Sequence, residues 1–300
     1  MKIRKRLFID SRFDPLLARL FSANVIQDLA ATGSSKKAFK ILSELHLIDS
    51  LDPRMILRDF YDDLFELIFR KYRNEYVYKN AIADKILLGR HSLNSSFMLS
   101  EFRAGNCKAD SVILNGSSTV YEIKSAYDSV ARLERQLNAY HKVFDRINVI
   151  TSDDQLSKVE RVIGDSVGLM VLSDRYTIRT IKEAVSQKSY VDSSVIFDSL
   201  RKPEYLAIIK ARFGFVPNVP NTRIYAECKR LFIGLDPEAA HDEMVKILKK
   251  RGECYLLRDF ITRVPDSLKA VSLSCKLTNK DRLGFLNLLD KEVGETLLAY

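Results

Sequence analysis

The chain has 300 residues, of which 46% are hydrophobic and 29% charged, with only 11 glycines and 7 prolines. This composition can bury a sizeable core and excludes a disordered chain. The formal net charge of +9 suits a polyanionic partner such as nucleic acid, although solubility alone also favours a modest charge. No apolar run reaches the ~20 residues of a membrane-spanning helix, so we predict no membrane association.

Several familiar types of site have no counterpart in the sequence. The four histidines form no HExxH or HxH pair that would bind zinc, and neither GxxxxGK[ST] nor GxGxxG occurs. The cysteines are too far apart for a zinc knuckle, and no secretory signal is apparent, which predicts reduced thiols and a cytoplasmic location. The four cysteines are Cys107, Cys228, Cys254 and Cys275.

Helix signals dominate residues 1–72. Asp14-Pro15 marks a helix start, Ser35 is a predicted N-cap, and Asp52-Pro53 is predicted to open a long helix that ends at Arg70. We predict a helical N-terminal region. It could be a helical cap on the rest of the chain or a small DNA-binding module of the winged-helix type.

A β-hairpin is the most informative local prediction. Asn115-Gly116 is a strong hairpin turn signal, because both residues tolerate positive φ. It predicts strands at about Lys108–Leu114 and Thr119–Ser125. With the glycine at the tip of a three-residue loop, Asp110 lies directly opposite Glu122 on the same face of the hairpin. A slip of one residue would separate the two carboxylates.

Facing carboxylates repel each other, and a cation between them would relieve the repulsion. Mg²⁺ suits Asp110 and Glu122 because it takes one or two carboxylates and completes its shell with water and phosphate oxygens; Mn²⁺ could replace it. The backbone carbonyl of Ile123 is a further predicted ligand. Lys124 shares the face of Glu122, where it would orient or deprotonate an attacking water and offset charge on a phosphoryl transition state.

A different interpretation of the hairpin stays open. The charged residues could form the water-facing side of an amphipathic hairpin whose other side buries Tyr121 and Ile123.

A helix is predicted to follow at Ser129–Phe144, with Asp128 as its cap. Gln136 and Tyr140 are four residues apart and share one face of it. They could point over the hairpin, with Gln136 near the metal or phosphate and Tyr140 against nucleic acid. We favour this functional interpretation because the hairpin precedes the helix, and the alternative is a partly buried polar pair.

Together these residues resemble a known family. Asp110 and Glu122-x-Lys124 are similar to the motifs of the PD-(D/E)xK nuclease superfamily, and Gln136-x-x-x-Tyr140 is similar to the motif of its RecB-type branch. Glu75 occupies the place of a helical Glu that often precedes the first core strand in this superfamily. Ala109 stands where many members have proline.

The resemblance covers about residues 73–172 and points to bacterial members of the superfamily. It implies a restriction-endonuclease-like α/β fold and a Mg²⁺-dependent nuclease, with DNA favoured over RNA as substrate. The implied metal ligands are Asp110, Glu122, Ile123 and Glu75; Glu101 is a competing third carboxylate, and His91 is a weak match to an upstream His. Bacterial defence or genome processing is the implied setting.

We therefore predict three regions: helices at 1–72, a nuclease core at 73–190, and helices at 191–300. In the core, strands are expected at Arg146–Thr151 and Val167–Ser173. The last region could clamp substrate, bind a protein partner or form a homo-oligomer. An inactive nuclease fold that binds nucleic acid or a protein is the alternative function.

Overall fold

The computed structural model describes residues 14–252 and 255–299. Cys254 lies outside the described residues, as do residues 2–6, whose sequence Lys-Ile-Arg-Lys-Arg is basic. The chain forms two compact units. The first contains Met1–Asp84 and Cys254–Tyr300, and the second contains Lys85–Glu253. This division differs from the predicted regions, because the helices that follow residue 191 bury their apolar stripes in the core of the second unit as far as residue 249.

The first unit is helical. Ser35 caps its helix as predicted, accepting a hydrogen bond from the amide of Ala38 at 3.3 Å. The long helix begins at Leu57 rather than at Pro53, because Ile56 is held extended in a β-bridge with Glu292. Residues 14–72 contain no strand that could form a wing. The helices are α1 (Asp14–Ala18), α2 (Ala23–Thr32), α3 (Lys36–Glu44), α4 (Leu57–Lys71), α5 (Glu75–Ala81), α12 (Tyr255–Arg263), α13 (Lys269–Ser274), α14 (Asn279–Leu288) and α15 (Val293–Thr296).

The second unit contains a mixed six-stranded sheet with the strands in chain order. The first three strands form an antiparallel meander, the next two add in parallel, and the sixth is antiparallel. The predicted α/β class is therefore confirmed. The strands are β1 (Phe97–Ala104), β2 (Cys107–Leu114), β3 (Ser118–Lys124), β4 (Arg146–Thr151), β5 (Gly168–Leu172) and β6 (Ile178–Lys182).

The predicted hairpin register is confirmed. The β2–β3 ladder pairs Ser111 with Tyr121 and ends at the turn with Leu114 opposite Ser118. Continuing this register by one residue places Asp110 opposite Glu122.

Helices cover one face of the sheet and enclose its core. Val112 and Val120 from the hairpin share this core with Tyr140, Ile196 and Met244 from the helices. A π-helical segment (Ile82–Leu88) directly follows α5 in the chain. The remaining helices are α6 (Leu133–His141), α7 (Leu156–Glu160), α8 (Ser193–Ser199), α9 (Lys202–Phe213), α10 (Asn221–Ile233) and α11 (Pro237–Lys249).

The start of β3 is held by a buried polar cluster. Ser118 Oγ lies 2.7 Å from Nε2 of His241 on α11 and accepts a hydrogen bond from the amide of Asp145 at 3.1 Å. The hydroxyls of Ser117 and Ser186 donate to the Asp145 carboxylate. Burial acts to raise the pKa of Asp145, but the two hydroxyls together with the charges of Arg146 and His241 more than offset it, so the pKa is lowered and the carboxylate stays charged.

A glycine allows β4 and β5 to pair closely. Gly168 lies beside Asn148 in the parallel ladder. A Cβ at position 168 would collide with the Asn148 side chain and meet the backbone nitrogen of Ala184 at 2.8 Å. By contrast, a Cβ at Gly164 would meet no atom within 4 Å.

Gly168→Ala should therefore lower the free energy of unfolding by about 1–3 kcal/mol, because backbone atoms would have to move to admit the methyl group. Gly164→Ala is the matched control and should change the same quantity by less than about 1 kcal/mol. Urea unfolding followed by circular dichroism measures both. Equal effects of the two substitutions would contradict the close approach at position 168.

His241 should make the protein lose stability in mild acid. Burial lowers its pKa, and the nearby Asp145 and Asp242 carboxylates offset this in part while Lys188 adds to it. The unfolded chain therefore takes up a proton as the pH falls below about 6.5, whereas the folded chain does not. Unfolding becomes easier over that range until the lower folded pKa is reached.

The measurement compares thermal midpoints at pH 7.5 and 5.5. His241→Gln, whose amide can still bond Ser118, should show a smaller loss between the two pH values than wild type. His46→Gln replaces an exposed histidine and should keep the wild-type difference. An unchanged loss in His241→Gln would exclude His241 as the cause.

Candidate active site

The side chains that the sequence singled out meet at the end of the hairpin remote from its turn. Strand β2 supplies Asp110, β3 supplies Glu122 and Lys124, and α6 supplies Gln136 and Tyr140. Alternation along β3 puts the Glu and Lys on one face, and the four-residue spacing on α6 puts the Gln and Tyr on the face that meets them.

Glu122 is the centre of the hydrogen-bond network and is only 1% exposed. Its Oε1 accepts from Lys124 Nζ at 2.8 Å and from Gln136 Nε2 at 2.5 Å. Its Oε2 accepts from the Tyr140 hydroxyl at 2.7 Å. A buried carboxylate with three donors, one of them cationic, is held in a fixed orientation.

Lys124 is equally enclosed, with 6% of its surface exposed. Its ammonium donates to Glu122 and, at 2.9 Å, to Gln136 Oε1. An ammonium has three N–H donors, so one remains for a molecule outside this network. Gln136 thus bridges the ion pair, donating to its anion and accepting from its cation.

Asp110 is half-buried and lies beside the backbone of β3. Its Oδ2 accepts a hydrogen bond from the amide of Ile123 at 2.8 Å. In an extended strand the N–H and C=O of one residue leave the backbone on the same side. The carbonyl of Ile123 is therefore directed to the side from which Asp110 approaches.

The Tyr140 hydroxyl joins α6 to both hairpin strands. It is also 2.7 Å from the carbonyl oxygen of Lys108 on β2, so its single proton serves this oxygen and Glu122. Burial raises the pKa of Tyr140 strongly, and the negative charges of Glu122 and Asp110 raise it further. The phenol therefore stays protonated and acts as a donor.

The oxygen atoms at this site are of the chemical types that bind hard divalent cations. Asp110 and Glu122 offer carboxylate oxygens, and Ile123 offers a carbonyl, which are the ligand types that Mg²⁺ prefers. Across residues 14–252 and 255–299, no group of three His, Cys, Asp or Glu side chains could hold a metal. Two carboxylates are nevertheless the usual protein share of a Mg²⁺ site whose other ligands are water and phosphate.

Three other sequence candidates have different partners. Glu75 belongs to the first unit, where Lys79 lies 2.5 Å from it. Glu101 has a positive φ of 53° within β1 and pairs at 3.5 Å with Lys108 near the surface. His91 lies beside Asn115, the turn residue of the hairpin.

The predicted cap at Asp128 is wrong. Its carboxylate accepts from the amide of Ser125 at 2.9 Å and from the hydroxyl of the same residue. Ser129 instead caps a short 3₁₀ turn, and α6 begins only at Leu133. The Ser-x-x-Asp spacing directly after β3 was the available signal for this turn, which directs the chain from the strand toward α6.

Burial contradicts the amphipathic-hairpin interpretation. Tyr121 and Ile123 are buried as that interpretation expects, but Glu122 and Lys124 on the opposite face are buried as well. Charged residues on a solvated face would be exposed. The hairpin is therefore covered on both faces at this end.

The network predicts strong coupling between Glu122 and Lys124. Lys124→Met leaves a buried carboxylate without its cation and should lower the free energy of unfolding by about 3–5 kcal/mol. Adding Glu122→Gln should recover much of that loss, because an amide needs no counter-ion. Urea unfolding of both single variants and the double variant measures the coupling. Strictly additive losses would contradict a direct buried pair.

Comparison with known proteins places the chain in a family. Protein cII of Enterobacteria phage P4 is 33% identical over 63 residues, which are 21% of this chain and 24% of that protein, so the chain matches about a quarter of this relative's length. A solved structure, the SPO1766 protein of unknown function from Silicibacter pomeroyi, aligns with 47% of this chain and 93% of its own at 15% identity, with a TM-score of 0.31. The family of bacteriophage P4 protein cII matches residues 69–264, more than half of the chain, and the protein belongs to that family.

Proposed function

We propose that the protein is a Mg²⁺-dependent nuclease that hydrolyses phosphodiester bonds, with DNA as the favoured substrate and Mn²⁺ as an alternative ion. The single observation that carries the proposal is the enclosed contact between Glu122, Lys124, Gln136 and Tyr140 beside Asp110. Burying an ion pair costs desolvation free energy that an apolar pair of similar size would avoid. A role in catalysis would explain why the protein has a buried Glu122–Lys124 ion pair despite this cost.

Each side chain has a role in this proposal. Asp110, Glu122 and the carbonyl of Ile123 would hold the ion, which when bound supplies Lewis acidity toward the phosphate and the attacking water. The remaining N–H of Lys124 would orient the water or a phosphate oxygen and offset negative charge in the transition state. Gln136 and Tyr140 would position Lys124 and Glu122.

The proposal extends to the fold and the setting. The antiparallel meander joined to a parallel strand, with α6 packed over it, is compatible with a restriction-endonuclease-like core of the PD-(D/E)xK superfamily. The match to a phage protein family is compatible with genome processing or defence in bacteria. Among residues 14–252 and 255–299, no helix is long and apolar enough to cross a membrane.

A second candidate is an inactive nuclease fold that binds nucleic acid or a protein. The contacts of Glu122 favour it, because protein donors already occupy both carboxylate oxygens. A metal would have to share or displace one of these donors. Binding without Mg²⁺-dependent products would support this candidate.

The test incubates purified protein with linear DNA, circular DNA and RNA, each with Mg²⁺, Mn²⁺ or EDTA. Wild type should cleave DNA with either metal and not with EDTA. Asp110→Asn should reduce the rate by about 100-fold or more, since the charge that holds the ion is lost. Cleavage of linear DNA alone would indicate an exonuclease.

Two controls separate chemistry from stability. The Glu122→Gln/Lys124→Met double variant lacks the charges yet avoids an unpaired buried ion, so it should fold and be inactive. Lys158→Ala and Glu160→Gln change exposed residues of α7 in the same unit and should retain activity. Full activity in Asp110→Asn would refute the nuclease proposal.

A further inference from the structure

A groove of about 440 Å³ lies in the second unit between α6 and the β1–β2 turn. One wall is a stripe of α6 and the residue after it, formed by Arg135, Asn138 and Lys142, all exposed. The other wall is the turn at Gly105 and Asn106. The surface between these walls is mostly apolar and includes Cys107, Ala139 and Val195 of α8. The exposed cations and amides of Arg135, Lys142, Asn106 and Asn138 therefore lie along the edges of an apolar groove.

The two cations of this groove differ in their ion pairing from other cations of the same unit. Within residues 14–252 and 255–299, no carboxylate pairs with Arg135 or Lys142. Elsewhere in the same unit, Lys229 and Arg251 each pair with a carboxylate at 2.6 Å. Unpaired cations that line a concave surface favour a polyanion.

The groove adjoins the candidate active site along α6 and along β2, two elements that contribute to both. Along α6, Arg135 precedes Gln136 and Ala139 precedes Tyr140, so the groove and the site occupy neighbouring faces of one helix. On β2, Cys107 in the groove precedes Lys108, whose carbonyl accepts the Tyr140 hydroxyl. A chain lying in the groove would therefore pass next to the catalytic network.

We propose that this groove binds the phosphodiester backbone of the nucleic acid whose cleavage is proposed above, and the choice of polyanion rests on that function. Arg135 and Lys142 are separated by two helical turns, about 10 Å along α6. One strand of a duplex rises about 3.4 Å along the axis per phosphate and also winds around it, so the stripe spans at most about three phosphates. The amide groups of Asn106 and Asn138 would donate to phosphate oxygens between the two cations.

Binding is measured without cleavage, by fluorescence anisotropy of a labelled 30-base-pair DNA in EDTA over a series of salt concentrations. The Arg135→Gln/Lys142→Gln variant should bind about tenfold more weakly at 0.1 M salt, and the slope of log affinity against log salt should fall by about two. Asn138→Glu places a carboxylate in the groove and should weaken binding further than Asn138→Gln.

The matched control is Arg223→Gln/Lys246→Gln, which removes one Arg and one Lys from exposed positions of α10 and α11 in the same unit. It should bind within twofold of wild type. Equal weakening by both double variants, or no weakening by the groove variant, would overturn the assignment.

The outcome is independent of nuclease activity. A protein that binds through the groove but never cleaves refutes the proposed chemistry and leaves the groove assignment intact. If cleavage is intact and affinity is unchanged in the Arg135→Gln/Lys142→Gln variant, the groove assignment fails and the nuclease proposal stands. For an active enzyme, this variant should raise KM with little change in kcat, because the lost contacts act on ground state and transition state alike.

Discussion

The burial of the Glu122 carboxylate is the constraint on which the site depends. An anion removed from water needs donors on every side, and Lys124, Gln136 and Tyr140 provide them. Two of these donors lie on α6, so satisfying the charge also fixes the position of that helix over the sheet. The phenol of Tyr140 extends the restraint to β2 through the carbonyl of Lys108.

Strand β3 is consequently fixed at both ends by buried polar contacts. At its start, Ser118 contacts His241 on α11, and at its far end Glu122 and Lys124 contact α6. Val120 lies between these two polar contacts on the strand and packs in the hydrophobic core. One strand thus connects the Ser118–His241 contact to the Glu122 network. A small displacement of α6 or α11 would therefore shift β3, which carries the proposed catalytic groups Glu122 and Lys124.

Local signals were sufficient to predict the hairpin and its register. The Asn115-Gly116 turn fixes the loop, and alternation then fixes which face carries Glu122 and Lys124. Burial of the charged face was not predictable in this way, because alternation cannot reveal which elements cover a sheet. The unit boundaries depend on long-range packing as well, with α12–α15 joining the N-terminal helices after some 170 residues of intervening chain.

Helix α6 explains how a basic surface and an acidic site can coexist. Arg135 and Lys142 are on its solvent side, whereas Gln136 and Tyr140 are directed at Glu122. The exposed cations would raise the local concentration of a polyanion, since their field acts through solvent over about a Debye length. The buried anion acts over contact distances, where Lys124 offsets its charge. The exposed cations and the buried anion therefore lie on different sides of α6, where their opposite charges do not cancel each other.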